Sequence, residues 1–343
     1  MITSSASSPT VLAVSNLHAA WGKTSVLRGI DLTVARGEHV AFLGPNGSGK
    51  STTLTLLAGL ARPVAGRIVW HLGPGSHTDE RPPGDPEVRL RVGVVFQSPS
   101  LDLSLSAAEN LGLAAQLSGL PRHIGRAKTR ELLAWAALED RANDRVKTFS
   151  GGMKRRLDLA RAIIADPEVL LLDEPTAGLD AESFERFWQR LEAHRQAYGL
   201  TLITATHSAA EAEKCERLLM FAAGRIAYEG TPAATIRALG RELVVIEGAS
   251  PAELVETISA RLQLASRVDG ERRVVCEVPS APDDGAQGQD HGARLLVRIV
   301  ELFPAGRLDT VSLRRPTLAD AFTKLAGGDL AGEAPPPTAQ AAA

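Results

Sequence analysis

One short motif constrains this chain more than any other stretch. Residues 44–51 read Gly-Pro-Asn-Gly-Ser-Gly-Lys-Ser and fill every fixed position of the phosphate-loop pattern G-x-x-x-x-G-K-[ST]. Its glycines let successive backbone N–H groups turn around a phosphate. Residues 38–43 predict a strand before the loop, and residues 52–58 predict a helix after it. A plain glycine-rich turn is the competing interpretation, and the agreement of both flanks disfavours it.

The phosphate loop, residues 44–51, indicates that the chain binds a nucleoside triphosphate together with Mg²⁺. Lys50 is expected to reach the β- and γ-phosphates, and the Ser51 hydroxyl is expected to ligate the metal. Upstream, Trp21 offers an indole that can stack on adenine, although a core tryptophan is the alternative. We therefore expect ATP and Mg²⁺ as cofactors. The expected ATP-binding residues are Trp21, Gly44, Pro45, Asn46, Gly47, Ser48, Gly49, Lys50, Ser51 and Thr52.

A second motif places two carboxylates after an apolar run. Residues 169–172 are Val-Leu-Leu-Leu, and Asp173 and Glu174 follow directly. Open α/β sheets bind their ligands at the carboxyl ends of the strands. We expect Asp173 to hold Mg²⁺, directly or through water, and Glu174 to polarise the attacking water as a general base. A strand followed by a solvated acidic turn is the alternative, which the upstream phosphate loop weakens.

Two more polar side chains close predicted strands. Gln97 follows the apolar run 92–96 and can sense Mg²⁺ or the attacking water. His207 follows residues 200–206 and can bond the γ-phosphate or orient Glu174. Each alone is more often an ordinary strand terminus. Together they predict a catalytic set of Glu174, His207 and Gln97, and a metal set of Ser51, Gln97 and Asp173.

A third motif predicts an anion site at a helix start. Ser150, Gly151 and Gly152 precede the helical run 154–164. Glycines at a helix N-terminus expose backbone N–H groups, and the serine hydroxyl adds a donor. A lone Ser-Gly-Gly turn is weak evidence, but its position shortly before the Asp173-Glu174 strand makes it strong.

Composition narrows the setting. The formal net charge of −2 gives no support to general polyanion binding, so no nucleic-acid partner is expected. Nowhere do about 18 apolar residues run together, so membrane work would need a partner. Cys215 and Cys276 form no metal or redox spacing, which fits a reduced, cytoplasmic setting. The Ser-rich N-terminus lacks the pattern of a signal peptide.

The chain alternates strand-like and helical runs up to about residue 239. This alternation favours a mostly parallel sheet covered on both faces. Beyond it, a β-α-β-α-β-α series predicts a small α/β unit. Gly, Pro and charge predict loops at 73–87 and 279–292. The expected organisation is a disordered leader at 1–10, a first domain at 11–239, a second at 240–326 and a disordered tail at 327–343.

Two helix starts carry the capping-box pattern. Residues 106–109 are Ser-Ala-Ala-Glu, and residues 250–253 are Ser-Pro-Ala-Glu with proline at the first helical position. In the second case the residues that follow form one apolar stripe. Its members are Leu254, Val255, Ile258 and Leu262.

In this order the motifs resemble those of the nucleotide-binding subunit of an ATP-binding cassette (ABC) transporter. GPNGSGKST is similar to the family's phosphate loop, FSGGM to its signature, usually LSGGQ, and VLLLDEP to its Walker B strand. Asp180 lies in a run similar to the D-loop, while Gln97, His207 and Trp21 match the Q-loop, the switch histidine and the adenine-stacking aromatic. The resemblance covers residues 11–239. It implies a P-loop NTPase fold with a helical subdomain at about 98–165, and ATP hydrolysis.

The signature departs from the commonest form at Phe149 and Met153. The run F-S-G-G-M-x-R-R resembles ABC-2 type exporters of drugs, antibiotics, lipids and polysaccharides, including daunorubicin-resistance proteins. Residues 316–325 also resemble that subgroup's C-terminal P-[ST]-L-x-D-x-F pattern. The resemblance thus implies an exporter motor, peripheral on the inner face of the cell membrane.

The resemblance also implies partners. Two cassettes, expected to be a homodimer, would meet head to tail, so that Ser150, Gly151 and Gly152 cap the γ-phosphate bound by the other subunit. Residues 97–120 would transmit the motion to a transmembrane permease. A soluble ABC ATPase without a transport role and a regulatory nucleotide sensor stay open as alternatives. The single cassette without a long coiled coil weighs against the first, and Glu174 and His207 weigh against the second.

Overall fold

The computed structural model describes residues 9–73, 80–239, 242–278, 291–304 and 306–326. The chain divides into two compact units, Met1–Gly230 and Thr231–Ala343. The boundary expected after residue 239 therefore falls inside the second unit, after a short helix at Pro232–Arg237. The leader up to residue 8, the tail from 327 and the loop residues 74–79 and 279–290 lie outside the described residues.

Within the described residues, the first unit contains nine strands, seven α-helices and two short 3-10 helices, at Glu139–Arg141 and Val146–Thr148. The strands are β1 (Thr10–Trp21), β2 (Thr24–Ala35), β3 (His39–Leu43), β4 (Ala65–Trp70), β5 (Val92–Val95), β6 (Val169–Asp173), β7 (Thr201–Thr206), β8 (Arg217–Ala222) and β9 (Arg225–Gly230). The helices are α1 (Lys50–Leu57), α2 (Pro86–Arg91), α3 (Ala107–Leu117), α4 (Arg122–Trp135), α5 (Gly151–Ile163), α6 (Ala181–Tyr198) and α7 (Ala209–Ala212).

The central sheet has six strands in the order β5-β6-β7-β3-β8-β9. All neighbours pair in parallel except β8 and β9, which pair antiparallel. This confirms the predicted mostly parallel α/β sheet. Because β5, β6, β7 and β3 run in the same direction, their carboxyl ends meet at one edge, where the polar motifs follow.

A second, antiparallel sheet in the order β2-β1-β4 was not predicted. Its inner residues, among them Leu12, Ile30 and Trp70, are buried in the same core cluster as Phe42 of the central sheet. The Trp70 indole donates to the carbonyl of Leu57 at 3.2 Å, which ties β4 to the end of α1. The antiparallel sheet thus covers α1 and fixes the helix that follows the phosphate loop.

Helices α3, α4 and α5 share a separate cluster that includes Leu111, Leu132 and Leu157. The capping box before α3 is confirmed. Ser106 Oγ accepts from the Glu109 N–H at 3.2 Å, and the Glu109 carboxylate accepts from the Ser106 N–H at 2.7 Å. The loop predicted at 73–87 is wrong at its end, because Asp85 caps α2 and Pro86 occupies its first turn.

The second unit is built on a four-stranded antiparallel sheet in the order β11-β12-β10-β13. Its chain order between β10 and β13 is β-α-β-β-α-β, the arrangement of ferredoxin-like folds. The short strand β11 was not predicted. The elements are α8 (Pro232–Arg237), β10 (Leu243–Gly248), α9 (Pro251–Leu262), β11 (Ser266–Val268), β12 (Arg273–Glu277), α10 (His291–Glu301), β13 (Leu308–Arg314) and α11 (Leu318–Ala326).

Both faces of this sheet are covered. Val274 and Cys276 of β12 pack in one cluster with α9 and α10, through Ile258 and Ile299. Strand alternation turns Glu277 to the opposite face, where it pairs with Lys324 of α11 at 2.8 Å. Helix α11 buries its apolar residues Leu318, Ala321 and Phe322.

The C-terminal sequence pattern has a structural meaning in this fold. Asp320 accepts from the Thr317 N–H at 2.8 Å, and Thr317 Oγ1 accepts from the Asp320 N–H at 3.3 Å, which makes a capping box. The Asp320 carboxylate also receives two hydrogen bonds from the Arg314 guanidinium, at 2.6 and 2.7 Å. The pattern therefore fastens α11 to the end of β13.

The capping box predicted at Ser250 is wrong. Ser250 adopts a left-handed backbone with φ of 58° and its side chain caps nothing. Pro251 does occupy the first turn, as predicted, and Leu254 and Ile258 of the apolar stripe are buried. The local pattern was right about the helix and wrong about how it begins.

A buried histidine in the central sheet predicts a pH effect on stability. His39 lies against the Trp188 ring, with its Nε2 atom 3.0 Å from Thr204 Oγ1 and 3.2 Å from Cys215 Sγ. Burial lowers the pKa of His39 from 6.5 to about 4. As pH falls from 6.5 towards 4, the unfolded state takes up a proton that the folded state does not. The free energy of unfolding should therefore decrease by up to about 3 kcal/mol over this range.

The comparison of wild type with His39→Gln at about pH 7 and about pH 4.5 measures this effect. The variant lacks the titrating group, so the unfolding transition of the first unit should shift less on acidification than in wild type. His123→Gln is the matched control, because His123 is exposed on α4. Equal acid shifts in wild type and His39→Gln would contradict the prediction.

Candidate functional site

The phosphate loop connects β3 to α1 as the sequence predicted. Gly49 directly precedes α1 with φ of 110°, and Gly47 has φ of 80°. Side chains strongly disfavour this left-handed region, so glycine is required there. A Cβ atom at Gly44 would overlap the carbonyl oxygen of Phe221. The loop is thus shaped by its glycines, with the N-terminal end of α1 behind it.

Lys50 is folded into the phosphate loop. Its ammonium donates to the carbonyls of Gly44 at 2.7 Å and Pro45 at 3.0 Å. Burial lowers the pKa of Lys50, while the carboxylates Glu174 and Asp173 act in the opposite direction. A buried ammonium whose two described hydrogen bonds go to neutral carbonyls gains from a hydrogen bond to a negatively charged partner such as a phosphate.

Ser51 and Asp173 meet beside the loop. The Ser51 hydroxyl donates to Asp173 Oδ1 at 3.0 Å. Burial raises the pKa of Asp173, and the hydrogen bond from Ser51 partly offsets this rise. Mg²⁺ prefers such oxygen ligands and is usually held by one or two protein groups together with substrate phosphates. This pair therefore fits Mg²⁺ beside a nucleotide.

Glu174 stands where three strand ends converge. Its Oε2 atom accepts from Gln97 Nε2 at 2.8 Å, and its Oε1 atom lies 2.8 Å from His207 Nδ1. Glu174 is 8% exposed and has a left-handed backbone with φ of 45°. Such strained backbone in a non-glycine residue is concentrated at functional sites. The structure thus brings the three predicted catalytic side chains into one hydrogen-bonded group.

Trp21 lies at the end of β1, near the start of α1. Its side chain is 57% exposed, and its indole Nε1 atom is 3.4 Å from Thr52 Oγ1. An exposed indole in this position differs from a core tryptophan such as Trp70, which is fully buried. The ring is therefore available for stacking beside the phosphate loop.

The signature segment, residues 149–153, sits at the start of α5. Ser150 caps the helix by accepting from the Met153 N–H at 3.3 Å, and Ser150 and Gly151 are exposed. Phe149 is buried in the helical cluster and anchors the segment. The helix start thus presents small, exposed residues, as an anion-binding surface requires.

Asp180 has a clear local role. It caps α6, accepting from the Ser183 N–H at 2.8 Å and from the Ser183 hydroxyl at 3.0 Å. These hydrogen bonds lower the pKa of Asp180. The structure therefore places this residue at a helix start shortly after Glu174.

Two buried charged residues next to Glu174 escaped sequence reasoning. Glu211 accepts from the Thr176 N–H at 2.9 Å and so supports the segment after Glu174. Arg155, on α5, donates to backbone carbonyls at the ends of β5 and β6. The sequence signals for Arg155 are its place in the F-S-G-G-M-x-R-R run and its position on the apolar side of a helix, and neither indicates what it binds.

Comparison with known proteins agrees with this geometry. The family model described as ABC transporter matches residues 27–177. The Nod factor export ATP-binding protein I of Burkholderia orbicola is 42% identical over 248 residues, which is 71% of this chain and 79% of the relative. The protein of the same name from Rhizobium johnstonii is 34% identical over 329 residues, 94% of this chain and 97% of the relative.

Solved structures of ABC transporter cassettes also align with this chain. The structure of cbiO1 from Clostridium perfringens, part of the ABC transporter complex cbiONQ, aligns with a TM-score of 0.59 and 28% identity over 74% of this chain and 96% of that one. An ATP-binding cassette solved as a dimer in a post-hydrolysis state with ADP and Pi aligns with a TM-score of 0.56 and 28% identity, covering 64% of this chain and 98% of the other.

In the part of the chain that the structure describes, we find no helix long and apolar enough to cross a membrane. The phosphate loop, the Glu174 group and the relatives together identify the kind of protein. The chain belongs to the ABC transporter family, as an ATP-binding cassette ATPase.

Proposed function

We propose that this cassette hydrolyses ATP as a head-to-tail homodimer and thereby drives a transmembrane permease of the ABC-2 type in export. The observation that carries the proposal is the group around Glu174, in which both carboxylate oxygens are held at 2.8 Å by side chains from neighbouring strands. A carboxylate held in this way can orient and deprotonate water.

The proposed roles of the site residues follow from their positions. Glu174 acts as the general base, and Gln97 and His207 hold its carboxylate in place. Lys50 exchanges its carbonyl contacts for the β- and γ-phosphates. Trp21 stacks on the adenine, and the remaining loop residues donate backbone N–H groups to the phosphates.

Mg²⁺ would be held by Ser51 and Asp173, with the Gln97 amide near them. The metal neutralises the charge that develops on the phosphate oxygens during transfer. Asp173, whose pKa is raised by burial, becomes fully charged most easily beside a cation, so metal and nucleotide binding favour its ionised form.

The dimer supplies the missing half of each site. Ser150, Gly151 and Gly152 are proposed to donate to the γ-phosphate of ATP bound by the partner subunit, while Asp180 lies in the D-loop near the interface. Support comes from the exposed helix start at α5 and from the related cassette solved as a dimer. ATP then favours the closed dimer because it binds both surfaces at once.

The permease is proposed to dock in a groove of about 640 Å³ between the central sheet and α3. Four leucines along it are unusually exposed, at 61%, 44%, 44% and 79%, namely Leu60, Leu90, Leu113 and Leu117. Phe96 and Ser100, which flank Gln97 along the chain, also line the groove. The groove thus adjoins the catalytic glutamine, and an apolar cytoplasmic segment of the permease fits its chemistry.

The direction of transport is supported by the relatives. Both curated relatives reported above are named export ATP-binding proteins, and one of them aligns with 94% of this chain. We propose export of a drug, antibiotic, lipid or polysaccharide, with the cassette peripheral on the inner face of the cell membrane. Cargo selection then belongs to the permease.

The experiment that tests this function is an affinity pull-down from detergent-solubilised membranes of the source organism. The bait is Glu174→Gln with ATP and Mg²⁺, which should keep the dimer closed. We expect mass spectrometry to identify a polytopic membrane protein. The second bait, Glu174→Gln with Leu117→Asp, should lose it, because the substitution places a charge in the groove.

The matched control is Glu174→Gln with Tyr198→Asp. Tyr198 is 60% exposed at the end of α6 and does not line the groove. This bait should still recover the membrane protein. Recovery of soluble partners alone, while the ATP dimer forms, would contradict the transport function and favour a non-transport ABC ATPase.

A further inference from the structure

Arg155 is a buried arginine within the F-S-G-G-M-x-R-R run at residues 149–156, and the resemblance assigns it no role. It lies on α5, one turn after Ser150, and only 4% of it is exposed. An arginine guanidinium carries five N–H donors in a rigid planar fork. In this protein the fork points away from solvent, into the space behind the Glu174 group.

All hydrogen bonds described for this guanidinium go to backbone carbonyls of two catalytic segments. At the end of β6, Nη2 donates to Asp173 at 3.0 Å and to Glu174 at 2.6 Å, and Nε donates to Pro175. At the end of β5, Nη1 donates to Phe96 at 2.5 Å. One side chain therefore holds the backbone on both sides of Glu174 and the backbone just before Gln97.

Helix α5 also forms hydrogen bonds to the β5 segment through two other side chains, Asp158 and Arg161. The Asp158 carboxylate accepts from the Ser100 N–H at 3.3 Å and pairs with Arg161 at 2.9 Å. Arg161 in turn donates to the carbonyl of Val94 at 3.2 Å. Helix α5 and the Gln97 segment are thus hydrogen-bonded at several points, and Arg155 extends this connection to Glu174.

We infer that Arg155 is a positioning residue that couples the signature helix to the catalytic base, through the carbonyls of Asp173, Glu174 and Phe96. This inference rests on the proposed function, in which Ser150 contacts ATP held by the partner subunit. When that contact forms at the start of α5, the guanidinium transmits the helix position to the backbone that carries Glu174.

The backbone conformation of Glu174 explains why the hydrogen bonds from Arg155 are needed. Its φ of 45° lies in the left-handed region, which a non-glycine residue keeps only when its surroundings hold it. Charge-assisted hydrogen bonds are about twice as strong as neutral ones, so a guanidinium on these carbonyls is a strong restraint. Without it the carboxylate loses its position relative to the γ-phosphate.

The test compares Arg155→Gln with Arg156→Gln. Arg156 is the next residue on α5, and its guanidinium also donates to a backbone carbonyl, that of Ala136 at 2.8 Å. That acceptor belongs to the helical region and not to a catalytic strand. The pair matches in residue type, helix and kind of acceptor; it differs in which segment is held and in burial, because Arg156 is only partly buried.

For the full chain we expect Arg155→Gln to lower kcat by about 10- to 100-fold, since small misplacements of reacting groups cost this much. The KM for ATP should stay within about 2-fold, because Arg155 does not contact the phosphate loop. Arg156→Gln should keep kcat within about 2-fold at an equal folded fraction. In a Glu174→Gln background, Arg155→Gln should still form the ATP-driven dimer.

Arg155→Lys keeps the charge without the fork, and it serves if Arg155→Gln does not fold. Arg155→Lys should also lower kcat without changing KM, but by a smaller factor than Arg155→Gln. Equal losses in the Arg155 and Arg156 variants, or full activity of a folded Arg155→Gln protein, would overturn the inference. An inactive wild-type protein would instead overturn the proposed function, so the two failures are distinguishable.

Discussion

Glu174→Gln is expected to lower ATP turnover by about 10²- to 10⁴-fold, the usual contribution of a general base. Glutamine keeps the size and the hydrogen-bonding capacity of the side chain, so the contacts with Gln97 and His207 can be largely retained. What it loses is the ability to accept a proton from water. Nucleotide affinity should therefore stay close to that of wild type.

The measurement is steady-state ATP hydrolysis together with equilibrium binding of a labelled nucleotide. Glu185→Gln is the control, because Glu185 is exposed on α6 and pairs only with surface Lys214 among the contacts described. It should hydrolyse ATP normally. Turnover of Glu174→Gln at the wild-type rate would remove Glu174 from the role of base.

Ser150→Arg is expected to abolish the ATP-driven dimer while leaving ATP binding to the monomer intact. The serine lies at the exposed start of α5, where the proposal places the partner's γ-phosphate. A long arginine side chain fills the space that the phosphate needs, and the substitution removes a helix cap worth about 1 kcal/mol. The phosphate loop of the same subunit is unchanged.

The loss of the cap is controlled with Thr231→Arg. Thr231 is an exposed residue that caps α8 in the same way, accepting from the Ala234 N–H at 3.2 Å. Both variants are made in the Glu174→Gln background and followed by light scattering with ATP and Mg²⁺. The Thr231 variant should dimerise. A dimer formed by the Ser150 variant would exclude the trans contact.

Much of the site could be predicted because motif and topology depend on each other. The glycine-rich loop follows β3, and the carboxylate pair follows β6. These two motifs come close together because the strands are parallel, so that their carboxyl ends lie at the same edge of one sheet. The strands predicted before Gln97, Asp173 and His207 are found within one residue of the expected bounds. The hydrogen bonds that join Gln97 and His207 to Glu174 follow from that sheet order.

Other features depend on contacts between distant residues, which a local pattern does not contain. Ser250 has the sequence of a capping residue, but its backbone is turned into the left-handed region. Thr317 and Asp320 form a capping box with the same local spacing, but the sequence does not show that the Arg314 guanidinium also holds the Asp320 carboxylate. Arg155 was missed because its acceptors are backbone carbonyls, and these leave no trace in the sequence.

The packing of α11 on the four-stranded sheet of the second unit has a consequence for the synthesis of this protein. Helix α11 is the last element that the structure describes, and it covers the sheet face opposite to α9 and α10. A ribosome delivers this helix after all four strands have emerged, so the face stays open to chaperones until α11 has emerged and packed against it. A chain cut short before Thr317 would keep that apolar face exposed and become a substrate for proteolysis.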